Sequence, residues 1–182
     1  MNAKRLAMAV LLAALSIPAS SVFAADQVIF LVRHAERAPA TPAPAAAPPG
    51  HGMMGPTMSD DPPLSAAGEQ RAARLAAMLA TADIRSIFTT EYRRTRQTAA
   101  PLAEKLKLTP VMSAAKDPDP LIAQVRRLKT NVLIVGHSNT IPDLLKRLGV
   151  KTEVKIADDE FDDLFVLVRP ATGEPTLIRL KY

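Results

Sequence analysis

Two histidines in matching settings carry most of the chemistry this sequence can offer. The stretch LVRHAERAP, Leu31 to Pro39, places Arg33 and His34 directly after an apolar run, and VGHSNTIP, Val135 to Pro142, places His137 after another. They stand 103 positions apart (137 minus 34) in a chain with three histidines. The end of a buried strand is a costly place for charge unless something offsets it. A third strand-like run, SIFTT at Ser86 to Thr90, is followed by Arg94. Three strand ends therefore offer two arginines and two histidines to one crevice, the place where ligands collect in an open parallel sheet.

A phosphoryl group fits such a cluster. Its oxygens accept bidentate bonds from Arg33 and Arg94, and helix amino ends add oriented amides. Thr90, Ser138 and His137 are the further candidates for holding it. A neutral imidazole is a competent nucleophile toward phosphorus. Neighbouring arginines lower its pKa by like-charge repulsion and keep it unprotonated near neutral pH. His34 is accordingly read as the acceptor of the phosphoryl group.

Other chemistries lack support. With no cysteine, thiolate metal sites, disulfides and cysteine nucleophiles are excluded. His51 stands in a Pro/Ala-rich stretch without converging ligands, and DDEFDD, Asp158 to Asp163, lacks the spacing and central glycine of an EF-hand. No metal and no cofactor are expected. Ser138 lacks the glycine frame of a hydrolase nucleophile and reads as a hydroxyl donor or helix cap. Few aromatics and no Lys/Arg run argue against a nucleic-acid partner.

The elements that must position these residues can be read from hydrophobic period. The chain of 182 residues is the size of one domain. Lys4 and Arg5 precede an apolar stretch, Leu6 to Ile17, too short to span a bilayer, and SVFA sets small residues at Val22 and Ala24. This is the pattern of an export signal cleaved after Ala24. It predicts a periplasmic or secreted domain, residues 25–182, with no stable membrane insertion after cleavage; a retained anchor is the alternative. The domain then keeps 21 basic against 18 acidic residues, a mild positive balance that suits small anionic substrates.

QVIFLV at Gln27 to Val32 and NVLIVG at Asn131 to Gly136 read as strands buried on both faces. Ala38 to Asp61, dense in Pro, Ala and Gly, reads as a flexible insertion. Ala72, Leu75, Ala76 and Leu79 recur at helical spacing behind a Ser65 cap. Further helices are expected over RTRQTAAPLAEKL, Pro120 to Leu128 and Thr140 to Leu148, the last closed by Gly149. A weak strand is expected around Leu108 to Val111. LFVLV and TLIRLKY, joined by PATGEP, predict an antiparallel pair. The result is an α/β three-layer sandwich: a mostly parallel central sheet, helices on both faces and an antiparallel edge.

The motifs RHAE (Arg33 to Glu36), LSAAG (Leu64 to Gly68), TTEYRRTRQTA (Thr89 to Ala99) and VGHSNTIP, in this order, resemble the histidine phosphatase superfamily, the phosphoglycerate mutase-like fold. The resemblance runs from the first strand to the last. It implies His34 as nucleophile, with Arg33, Arg94 and His137 around the phosphate. Counting back from Thr98 favours Arg94 over Arg93. Ala35 stands where the family commonly has glycine. Many members supply a general acid from the segment after the third strand, which makes Asp117 and Asp119 candidates; Glu36 is another, unless it pairs with Arg37 or Arg33. Small members similar to phosphohistidine phosphatases have no dedicated acid.

The activity so implied is metal-independent hydrolysis of phosphomonoesters through a phosphohistidine. The alternatives are a non-catalytic phospho-ligand binding protein, a phosphohistidine phosphatase and a mutase; the mutase is disfavoured because the export signal separates the chain from glycolytic intermediates. A sugar phosphate, a phosphorylated surface glycan or glycolipid, or a phosphorylated protein fits as substrate.

Overall fold

The computed structural model describes residues 26–39 and 61–182. The segment read as an export signal and most of the Pro/Ala-rich stretch, His51 included, lie outside the described residues. Ten elements follow in order: β1 Gln27–Arg33, α1 Ala66–Leu79, β2 Ile84–Thr89, α2 Arg93–Leu106, β3 Val111–Met112, α3 Asp119–Arg127, β4 Asn131–Gly136, α4 Thr140–Arg147, β5 Asp163–Arg169 and β6 Thr176–Lys181. They build one six-stranded sheet in the order β3-β2-β4-β1-β5-β6. β3, β2, β4 and β1 run parallel, whereas β5 pairs antiparallel with β1 and β6 antiparallel with β5.

Helices cover both faces, which explains why β1 and β4 read as unbroken apolar runs. Ile29 and Leu31 of β1 pack with Leu121, Val125, Ile141 and Leu145 of α3 and α4. Val32 turns the other way, against Leu75 and Leu79 of α1 and Leu102 of α2. Ser65 Oγ accepts from the Gly68 amide at 3.1 Å, capping α1. Gly149 adopts φ 104° just past α4, a left-handed value that favours glycine as a helix stop.

Two strands differ from the pattern reading by more than one residue. β3 is the two-residue Val111–Met112, because the Leu108 amide closes α2 by donating to the Ala103 carbonyl at 2.9 Å and Pro110 has no amide to pair. β2 begins earlier, at Ile84, with a register irregularity between Ile84 and Ser86.

Candidate active site

The carboxyl ends of β1, β2 and β4 meet at one rim, with the segment after β3 beside them. β1 hands over directly to the site: the His34 amide donates to the Gly136 carbonyl at the end of β4, at 2.9 Å. The next residue is tied down as well, the Ala35 amide donating to Thr98 Oγ1 of α2 at 2.9 Å. Thr98 in turn donates to the Arg94 carbonyl at 2.7 Å, so one buried hydroxyl connects the His34 segment to the helix turn that carries Arg94.

His34 and His137 are buried, with ring centroids 5.3 Å apart in an edge-on arrangement. His34 Nδ1 lies 2.8 Å from the Ala35 carbonyl. A carbonyl only accepts, so Nδ1 carries the proton and Nε2 of the neutral ring keeps its lone pair. His137 Nε2 is 3.1 Å from Thr90 Oγ1, which is itself 3.0 Å from Thr95 Oγ1. Thr90 therefore supports His137 from behind.

The two guanidinium groups are braced differently. Arg33 Nη1 donates to the carbonyls of Ala157, Asp158 and Glu160 at 2.8, 3.0 and 3.0 Å, and its guanidinium stacks 4.0 Å above the Phe161 ring. Arg94 stacks on Tyr92 at 4.2 Å and lies 3.4 Å from Asp61. Nε of each is buried without a hydrogen-bond partner among the described residues. Arg93, the alternative considered for this role, is exposed, and its amide is held by the Asp61 carboxylate.

Arg33, His34, Arg94, His137 and Ser138 all line one cleft of about 380 Å³, and Arg37, Tyr92, Lys116, Asn139 and Asp158 complete its charged and polar wall. Thr90 is absent from that lining and reaches the cleft only through His137. None of the three acid candidates faces it. Glu36 is held by Arg71, Nη2 to Oε1 at 2.6 Å and Nε to Oε2 at 2.9 Å, rather than by Arg37 or Arg33. Asp119 pairs with Arg147 at 2.5 Å, and Asp117 Oδ1 accepts from the Asp119 amide at 3.3 Å. Among the described residues no three His, Asp or Glu side chains converge as metal ligands.

Both imidazoles are held neutral. Burial pushes the His34 pKa down to about 3; the Ala35 carbonyl opposes this, while Arg94, His137 and Arg33 add to it. Burial likewise brings His137 to about 4, with Arg94 next in effect. The like-charge repulsion expected from sequence is present but second to desolvation, because the carboxyl ends of β1 and β4 are covered. Asn139 follows the same strand end as His137, whereas Arg37, Tyr92 and Asp158 enter the cleft without having been anticipated there. Only Arg37 carried a signal: a further cation three residues past the nucleophile candidate.

Comparison with solved structures places this architecture among known phosphatases. The chain superposes on the protein histidine phosphatase SixA complexed with tungstate with a TM-score of 0.60 at 16% identity, covering 85% of this chain and 96% of the other. It also superposes on a mycobacterial glucosyl-3-phosphoglycerate phosphatase, with a TM-score of 0.58 at 14% identity over 85% and 97% of the two chains. At such identities the likeness is one of fold. No curated protein sequence matches the chain. Residues 29–116, which take in most of β1, all of α1, β2, α2 and β3 and the turn bearing Lys116, match the sequence profile of the histidine phosphatase superfamily, branch 1.

Proposed function

We propose that the protein hydrolyses phosphomonoesters in two steps through a phosphohistidine on Nε2 of His34. The observation that carries this is the pairing of two neutral, buried imidazoles with two buried guanidinium Nε donors that lack partners among the described residues, all at one cleft. Buried N–H groups of this kind call for an acceptor, and the oxygens of a phosphoryl group supply it. In the first step the Nε2 lone pair forms an N–P bond as the ester P–O bond breaks, and the departing alkoxide takes a proton from water. In the second, water attacks phosphorus, the N–P bond breaks and phosphate leaves. Arg33 and Arg94 stabilise the charge on the equatorial oxygens throughout. His137, held at Nε2 by Thr90 Oγ1, lines the cleft beside them.

The test is trapping. Incubation with a ³²P-labelled phosphoester and an alkaline quench is expected to leave acid-labile label on the protein, and His34→Ala to abolish both label and turnover. Turnover that survives His34→Ala would remove the mechanism. Ligand binding with no turnover by the intact protein would favour the non-catalytic reading.

A second reading, hydrolysis of phosphohistidine in a protein, is favoured by the position of Glu36, Asp117 and Asp119, all directed away from the cleft. An imidazole departs with less proton assistance than an alkoxide, so a cleft that none of these three carboxylates lines suits P–N cleavage. The resemblance to SixA supports the same reading. We also propose export: the basic start, short apolar run and Val22/Ala24 spacing support cleavage after Ala24 and action outside the cytoplasm. Edman sequencing of the mature protein, expected to begin at Ala25, tests it.

A further inference from the structure

We infer that the substrate carries a second anionic group, a carboxylate or another phosphate, on the part that leaves, and that Lys116 binds it. The inference rests on the phosphatase reading and deepens it. Four cations line the cleft, Arg33, Arg37, Arg94 and Lys116. Arg33 and Arg94 are braced by backbone carbonyls, aromatic rings and Asp61 and flank the imidazoles; one phosphate dianion satisfies them. Arg37 also bears on both of these guanidinium groups, so it belongs to the same end.

Lys116 stands apart. It comes from the far side of the sheet, after β3, and it is not among the groups that most perturb either imidazole. Its turn is nonetheless fixed at the cleft. The Ser113 amide donates to the Thr89 carbonyl at 2.9 Å, the Ala115 amide to Glu91 Oε2 at 2.9 Å and the Asp117 amide to the Ala114 carbonyl at 3.3 Å. The exposed ammonium has no ion pair among the described residues. The acidic group that shares the cleft, Asp158, acts on Arg33 instead, where it is the largest charge effect. At about 380 Å³ the cleft has the size of a small-molecule site rather than of a lone phosphate. An exposed, compact ammonium on a flexible stem beside the buried imidazoles suits an anion whose position varies with the ester.

Calorimetric titration of the His34→Ala variant tests this without turnover. Glycerol 3-phosphate and 3-phosphoglycerate are suitable probes, since they differ only in a hydroxymethyl group against a carboxylate. The carboxylate ester is expected to bind about tenfold more tightly, the scale of one charge-assisted hydrogen bond. Adding Lys116→Met is expected to bring the two within about twofold, adding Lys116→Glu to reverse the order, and raising the salt to narrow the gap. Equal affinities with Lys116 present, binding of neither ester, or a preference that survives Lys116→Met would overturn the inference. Failure of the phosphatase reading looks different: protein with His34 intact would bind the esters, keep the preference and hydrolyse neither.

Discussion

The bond from His34 Nδ1 to the Ala35 carbonyl settles which ring nitrogen can react, and burial settles the charge of the ring. Since both imidazoles stay neutral down to about pH 4, kcat/KM corrected for ionisation of the substrate phosphate is expected to keep its value from pH 7 to pH 5. An acid limb centred near 6.5, the ordinary histidine value, would contradict the buried setting. Arg33 offers a second check. Arg33→Lys keeps the charge but loses the planar group whose Nη1 holds three carbonyls and whose face stacks on Phe161, so kcat/KM is expected to fall about 10²-fold or more. The residues that were legible in the sequence, Arg33, His34, Arg94 and His137, follow strand ends or the turn after one, where position alone implies a shared rim. Phe161 beneath Arg33 and Thr98 behind Ala35 were not legible, because those contacts join segments 128 and 63 positions apart by subtraction and no local pattern encodes them.

At the level of elements, the nucleophile's segment is held by how closely α1 approaches it. A Cβ added at Gly68 would overlap the Glu36 carbonyl oxygen, whose other neighbour is the Ser65 amide, donating at 2.9 Å. Gly68→Ala is expected to cost about 2–3 kcal/mol in chemical denaturation and to lower kcat as well, since the displaced backbone lies two residues from His34. Gly136→Ala is expected to be milder in stability, because its added Cβ would meet the Thr140 hydroxyl at 2.8 Å and the Ile141 side-chain end at 2.9 Å, groups that can shift. Thr98→Ala leaves the buried Ala35 amide unpaired, a loss of about 1–3 kcal/mol. Long elements with strong period were readable: α1, α2, β1 and β4. β3 was misplaced because its pairing is decided by the C-cap of α2 and by Pro110, both of which outweigh the apolar residues between them.

For the whole molecule, folding buries two imidazoles that the unfolded chain exposes. Their folded pKa values, about 3 and 4, lie below the unfolded value of roughly 6.5. Between those limits the unfolded state binds more protons, so stability is full above about pH 6.5 and declines as pH falls toward 4 and 3. Thermal unfolding from pH 7.5 to 4 is expected to show this decline, and a His34→Asn, His137→Asn double variant to flatten it. One arrangement at this scale reaches further. The Arg33 side chain faces the nucleophile's cleft and also clasps Ala157, Asp158 and Glu160, just ahead of β5. Anything that steadies this guanidinium steadies the crossover it grips, so an oxyanion such as vanadate in the cleft is expected to slow deuterium uptake at residues 157–161, and occupancy of the pocket can be read from the backbone that Arg33 holds.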